Sequence, residues 1–184
     1  MTRYQVTLPG GVGFCNAIRR VMHSDIKSWA PYEVTFRKNT SCQTNEFLAH
    51  RIGLIPFRKV GNGTRMTINV SGPGNVLAKD LTGPAFEPAF DNIVIMKLGE
   101  NQTIEATVHF DEQRSDKHAR YSPLAAIGMC PVDGEGRHAI TFELNDPALD
   151  PSKILEEAFT SLEQRVDSAL MKLSDQDSVP ETMC

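Results

Sequence analysis

The chain has 184 residues, of which 40% are hydrophobic and 23% are charged, and its formal net charge at pH 7 is −4. This length suits one domain with an inserted segment, and the acidic balance argues against direct, sequence-specific binding of nucleic acid. The four cysteines are scattered without CxxC spacing, so we expect neither a metal site nor a cofactor.

The N-terminal part is predicted to form a short strand and then an amphipathic helix. Residues 1–10 lack the apolar segment of a signal peptide, and residues 4–8 (YQVTL) alternate weakly as a strand does. The GGVG that follows has neither the spacing nor the lysine of a phosphate-binding loop, which favours a simple turn. Apolar residues then recur at helical spacing: Phe14, Ala17, Ile18, Val21 and Met22. Pro31 prevents the helix from continuing.

A strand and a second helix are predicted next. Residues 33–37 (EVTFR) alternate as a half-buried strand does. In residues 45–57 (NEFLAHRIGLIPF), Thr44 or Asn45 can cap a helix and Gly53 can end it. This segment contains no nucleophile with a base, no ligand cluster and no phosphate-binding loop. We therefore interpret it as an element that packs against something else.

The middle of the chain is predicted to be a loop-rich insertion followed by a hairpin. Glycine and proline are dense in residues 58–92, with one candidate strand at residues 66–70. Residues 92–98 and 102–110 have strand patterns, and the short link between them predicts a hairpin. The longest apolar runs are far shorter than a membrane span, so we expect a soluble, intracellular protein without membrane contact.

The C-terminal part is predicted to be a loop at residues 111–121, a strand at residues 138–144 and a long helix. Asp150 and Pro151 suit the start of that helix. Its apolar stripe is long: Ile154, Leu155, Ala158, Phe159, Leu162, Val166, Leu170 and Leu173. A stripe this long exceeds what one small domain needs to cover, so part of it is expected to meet another subunit. The polar tail, residues 174–184, is expected to fray.

The histidines leave one alternative of a different class. His23, His50, His109, His118 and His138 are dispersed, and none has a partner at the spacing of metal ligands. A small stand-alone enzyme could still use a cleft in the loop-rich middle, with His109, His118 or Asp116 as acid or base.

Three motifs resemble one family. They are FCNAIRRVMHSDIKSWA at residues 14–30, NTSCQTNEFLAHRIGLIPF at residues 39–57 and DKHARYSPLAA at residues 116–126. In this order they resemble the alpha-like assembly subunits of multisubunit DNA-directed RNA polymerases. The likeness is greater to the eukaryotic third-largest subunit and its archaeal counterpart than to bacterial alpha.

The resemblance implies an α+β architecture in two parts. Residues 1–57 and 93–184 would form a dimerisation domain with a mixed or antiparallel sheet and two long helices. Residues 58–92 would be the start and bulk of a loop-rich β insertion domain whose end lies between residues 92 and 125. Such subunits are non-catalytic in the family. They heterodimerise with a smaller alpha-like subunit, and the pair is the platform for the two large catalytic subunits in transcription.

The resemblance also implies where partners bind. The dimer interface would comprise Phe14, Asn16, Ala17, Ile18, Val21, Ile154, Leu155, Ala158, Phe159, Leu162, Val166 and Leu170. The second-largest catalytic subunit and small adaptor subunits would be contacted by Arg19, Arg20, Glu46, His50, Arg51, Lys117, His118 and Arg120. A homodimer of the bacterial alpha kind is the alternative mode of pairing.

The sequence departs from the family pattern in places. A strand that usually precedes YQVTL is expected to be missing, and the insert lacks the cysteine cluster of some relatives. Such trimming suits a divergent or reduced polymerase, a viral one included. The expected location is then the nucleus, the cytoplasm or a virion.

Overall fold

The computed structural model describes residues 3–132 and 136–176 and has the predicted α+β fold with antiparallel sheets. The helices are α1 (Val12–Ser24), α2 (Asn45–Gly53) and α3 (Pro151–Gln176). The strands are β1 (Arg3–Leu8), β2 (Lys27–Asn39), β3 (Phe57–Lys59), β4 (Arg65–Ser71), β5 (Gly74–Leu77), β6 (Phe86–Pro88), β7 (Val94–Leu98), β8 (Thr103–Arg114), β9 (Leu124–Pro131) and β10 (His138–Leu144). The predicted fraying concerns a tail of which residues 177–184 lie outside the described range.

The apolar residues form two cores. In the first, α1 packs on the sheet β1-β10-β9 and α3 packs on α1, and Ile18, Phe142 and Ala158 are among the buried residues. The second contains α2, the sheet β2-β8-β4 and the smaller strand pairs, with Phe110 stacked on Phe86 at 4.0 Å between ring centroids. Residues from both ends of the chain therefore share one core, and the middle forms the other. The predicted domain boundaries at residues 57 and 93 stay a prediction.

Local signals in the sequence explain the helix starts. Thr44 caps α2, because its Oγ1 accepts a hydrogen bond from the Phe47 backbone N–H at 3.3 Å. Asp150 caps α3 in the same way through Oδ1 and the Ser152 N–H at 2.9 Å, and Pro151 is the first helical residue. Both predicted starts are confirmed.

The predicted hairpin between residues 92–98 and 102–110 is wrong. Strand β7 pairs with β5, whereas β8 lies between β2 and β4. A strand pattern reports which face is buried but not which strand lies beside it. Because both edges of β8 are taken by other strands, the short link turns the chain from one sheet into the other.

Two other elements are longer than predicted. Strand β2 begins at Lys27 and contains Pro31, which is tolerated because β2 is an edge strand with a bulge next to that residue. Strand β8 continues to Arg114, into the segment predicted as a loop. The predicted strands at residues 66–70 and 138–144 are confirmed.

Candidate docking surface

The second half of α3 extends away from the two cores. Ile154 and Ala158 are buried and Leu162 is half-buried, but every residue from 163 to 174 is exposed. At 1.5 Å per residue these twelve residues cover about 18 Å. We call residues 163–174 the outer half of α3. An isolated helix of this length is marginal in water, so its neighbours matter for its stability.

The outer half and the helical turn before it carry large exposed apolar side chains. Phe159 is 39% exposed, Val166 50% and Leu170 59%, and Leu173 follows at the same helical spacing. Together with Leu162 we call these residues the outer stripe. A contiguous apolar surface of this kind marks an interaction site. In the described part of the chain, no helix is both long and apolar enough to cross a membrane.

The outer stripe continues onto the start of α1. The exposed Phe14 ring lies 6.5 Å from the Phe159 ring, measured between centroids. A shallow groove of about 370 Å³ lies between the two helices, and it is lined by Phe14, Phe159, Leu162, Glu163, Val166 and Asp167. The surface is therefore formed by two helices from opposite ends of the sequence.

The residues predicted for the dimer interface divide into three groups. Ile18, Val21, Ile154 and Ala158 are buried in the first core of this chain, so a partner cannot reach them in this conformation. Asn16, Ala17, Leu155 and Leu162 are half-buried, and Phe14, Phe159, Val166 and Leu170 are exposed. Helical periodicity in the sequence identifies the apolar residues of the two helices. It does not separate those that face the core of this chain from those that face outward, because both groups are apolar.

A buried carboxylate fixes the direction of α3. Asp25 follows α1 and is 4% exposed, and its side chain accepts hydrogen bonds from Ser161 Oγ at 2.9 Å and Arg165 Nη2 at 2.5 Å. Ser24 Oγ donates to it as well. Among the described residues, Arg165 makes the one hydrogen bond or ion pair between the outer half and another element. Sequence reasoning missed this cluster, since nothing in the local pattern marks Asp25 as buried.

Replacing Asp25 with alanine is expected to loosen the outer half of α3. The substitution removes two hydrogen bonds that cross between the helices. Both have a carboxylate acceptor, and the one from Arg165, whose two partners are charged, is worth about 1.5 kcal/mol or more. Hydrogen–deuterium exchange of amides 163–174 should accelerate about tenfold, equivalent to about 1.4 kcal/mol of local opening. Lys172→Ala, an exposed change on the same helix, is the control. Unchanged exchange in Asp25→Ala would show that Asp25 does not hold the helix.

Most of the residues predicted to contact large subunits are exposed to solvent. Arg20, Glu46, His50, Arg51, Lys117 and His118 are exposed, whereas Arg19 and Arg120 are half-buried. Arg51 donates to the Val94 carbonyl at 2.7 Å, and Arg120 donates to the Pro31 carbonyl at 2.7 Å beside Gly53. Arg120 thus joins α2, β2 and its own loop. These contacts support the fold, and the role of the set towards partners stays a prediction.

A second apolar patch lies beside α2. Phe47 and Leu54 on or next to that helix and Val94 at the start of β7 are exposed. The guanidinium of Arg51 lies between them, 5.7 Å from the centre of the Phe47 ring. This patch is on the second core, so the molecule has separate apolar surfaces on its two parts.

The loop DKHARYSPLAA joins the two cores. The Tyr121 hydroxyl donates to Asp111 Oδ1 at 2.6 Å, and burial followed by this hydrogen bond raises the pKa of Tyr121 to about 12. The Tyr121 carbonyl accepts from Ser28 Oγ, and the Ser122 carbonyl accepts from Asn145 Nδ2, both at 2.5 Å. The Tyr121 side chain and two backbone carbonyls of this motif thus help to hold the two parts of the chain together.

An ion pair that the sequence did not indicate also links the cores. Arg58 at β3 donates to both carboxylate oxygens of Asp146, from Nε at 2.9 Å and from Nη2 at 2.6 Å. Burial alone would raise the pKa of Asp146, but the hydrogen bonds from Arg58 and the Ala148 N–H and the positive charge of Arg58 outweigh it and lower that pKa. Both residues line a cavity of about 270 Å³ between the two parts.

The residues considered for an enzyme contact different neighbours. The His109 ring lies 6.4 Å from Tyr32, and His118 Nδ1 accepts from the Arg120 N–H at 3.1 Å. Within residues 3–132 and 136–176, no hydrogen bond joins His109, His118 or Asp116 to one another. The same ranges contain no group of three or more side chains able to hold a metal ion.

Comparisons with known proteins find similarity to subunits of DNA-directed RNA polymerases. Residues 58–135 match the family described as the RNA polymerase Rpb3/RpoA insert domain. Over 172 residues the chain is 33% identical to "DNA-directed RNA polymerase subunit Rpo3" of Methanocaldococcus jannaschii, covering 91% of this chain and 88% of that protein. The protein of the same name from Methanopyrus kandleri is 29% identical, with 91% and 66% covered. That of Pyrococcus furiosus is 30% identical, with 61% and 48% covered.

Proposed function

We propose, because the chain belongs to the family of alpha-like DNA-directed RNA polymerase subunits that includes Rpo3, that it is a non-catalytic assembly subunit of such a polymerase. Its function in transcription is to bind other subunits and hold them together. The catalytic activity belongs to the complex and not to this chain. The outer stripe is the observation that carries the proposal, since a helix with large exposed apolar side chains needs a partner.

The partner proposed for the outer stripe is a smaller alpha-like subunit. Phe14 and the outer stripe form one continuous apolar surface made by α1 and α3, the two helices of the proposed dimerisation domain. A helix pair from the partner can cover it by packing side by side, as helices do in bundles. The proposed bounds of this domain are residues 1–57 and 93–184, around an insertion domain that begins at residue 58, and α2, β7 and β8 within those bounds belong to the second core.

The opposite part of the molecule is proposed to face the second-largest catalytic subunit and small adaptor subunits. Its exposed patch combines Phe47, Leu54 and Val94 with charged residues of α2. Apolar side chains surrounded by charged ones are the usual composition of a protein–protein interface. Two separate docking surfaces on two linked cores are what a platform subunit requires.

Co-expression tests the proposal. The chain expressed alone is expected to self-associate or aggregate through the outer stripe, and co-expression with the smaller alpha-like subunit of the same polymerase should give a 1:1 complex. Light scattering of the purified material measures the mass of each species. A monomeric chain that does not bind this subunit would contradict the proposal. A dimer of the chain that persists when this subunit is co-expressed would indicate the homodimer instead.

A further inference from the structure

The groove beside the outer stripe has an acidic side. Glu163 and Asp167 line it together with the apolar residues, and both are exposed. Glu156 lies two helical turns before Glu163, on the same side of α3. None of these three carboxylates has an ion pair or a side-chain hydrogen bond with another described residue. The groove is therefore apolar at its base and carries unpaired negative charge along one edge.

This arrangement is unfavourable in the isolated chain. Glu163 and Asp167 are four residues apart on one helix face, where like charges repel by a few tenths of a kcal/mol. Docking of a purely apolar partner would increase the cost, because carboxylates beside a dry interface lose water without gaining a cation. A partner that brings a positive charge to this edge removes both costs.

We propose that the partner's helix carries a lysine or arginine that enters this groove, with its aliphatic stem on Phe14 and Phe159 and its charged head at Glu163 and Asp167. This inference rests on the proposed function and adds the chemistry of the partner. Long basic side chains suit such a site, since they bury the stem along apolar surface while the head stays at the polar edge. The two phenylalanine rings also attract a cation through their faces.

The outer part of α3 in a second copy is a poor source of that charge. Between residues 154 and 174 the cations of α3 are Arg165 and Lys172. Arg165 is bound to Asp25, and Lys172 is nine residues after Glu163 and thus about 180° away around the helix. The acidic edge therefore favours a heterodimer with a basic partner helix over pairing of α3 with itself.

Charge reversal at the groove tests the inference. We expect E163K/D167K to weaken binding of the purified smaller alpha-like subunit about 10- to 100-fold at about 50 mM salt, because attraction becomes repulsion. At about 500 mM salt the difference from the wild type should shrink severalfold, since mobile ions screen charges at the rim. Isothermal titration calorimetry measures both affinities. The matched control is E100K/E112K, which makes the same change in net charge at two exposed acids on the other core.

The outcomes separate the two proposals. If the wild type binds the smaller subunit and E163K/D167K binds it equally well at low salt, the basic side chain is refuted and the scaffold function stands. If the wild type does not bind that subunit at all, the proposed heterodimer fails, and this inference fails with it. Rescue of E163K/D167K by replacing one basic residue of the partner helix with glutamate would identify the residue that enters the groove.

Discussion

The double substitution F159E/L170E is expected to abolish heterodimer formation while leaving the chain folded. Both side chains are exposed in the isolated protein, so the new charges remain in water before docking. On docking, L170E would bury a charge without a cation, at a cost of several kcal/mol, and F159E would remove an aromatic ring from the apolar surface that the partner covers. Together they should weaken binding at least about 1000-fold, which is about 4 kcal/mol.

Gel filtration of the co-expressed subunits measures heterodimer formation, and circular dichroism of the variant shows whether it remains folded. Val60→Glu is the matched control, because Val60 is an exposed apolar residue on the other core. Wild-type assembly of F159E/L170E would place the interface elsewhere. Ile18→Glu does not test the interface. Ile18 is a residue of α1 that is fully buried in the first core, and its replacement by glutamate would unfold that core.

Replacing Arg58 with methionine is expected to destabilise the whole chain. The substitution keeps the apolar stem but leaves the Asp146 carboxylate, which is buried, without its bidentate partner. Removing one partner of a buried ion pair lowers the free energy of unfolding by about 3–5 kcal/mol. Because Arg58 is partly exposed, we expect a loss of about 3 kcal/mol. Because the pair joins the two cores, the loss should also reduce the cooperativity of unfolding.

Urea denaturation followed by the fluorescence of Trp29 measures this loss, since the indole lines the same cavity as Arg58. Arg37→Met is the control: Arg37 forms an exposed ion pair with Glu105, and such pairs contribute about 0–1 kcal/mol. Equal stability of the two variants would mean that the Arg58–Asp146 pair contributes no more than a surface contact.

The pH dependence of the same measurement follows from the lowered pKa of Asp146. A carboxylate whose folded pKa is below its unfolded value of about 3.9 contributes its full stability above that value. The contribution is lost as the pH falls through the folded pKa, when Asp146 takes up a proton. In Arg58→Met the burial that raises the pKa of Asp146 is no longer offset by the guanidinium, so protonation of Asp146 stabilises the folded variant. The stability gap between the wild type and Arg58→Met should therefore be largest near neutral pH, begin to shrink above about pH 4 and shrink further below it.

The fold class and the helix starts could be predicted because their causes are local. The Thr44 and Asp150 caps depend on residues two or three positions away, and the stripe of α1 follows from helical spacing. Partners distant in the chain could not be predicted. The hairpin prediction failed because β7 pairs with β5, whereas β8 pairs with β2 and β4. A strand pattern in the sequence does not encode which strands become neighbours.

The sequence by itself determined the family, the α+β class and the presence of two apolar helices at opposite ends of the chain. Tertiary structure decided which side of each helix is used, since Ile18 and Ala158 face the core while Phe14 and Leu170 remain exposed. It also decided that Asp25 is bound to Arg165 and Asp146 to Arg58, across 140 and 88 residues. Burial and pairing are properties of the packed chain. A residue's neighbours in space, and not its neighbours in sequence, set whether it holds the fold together or meets a partner.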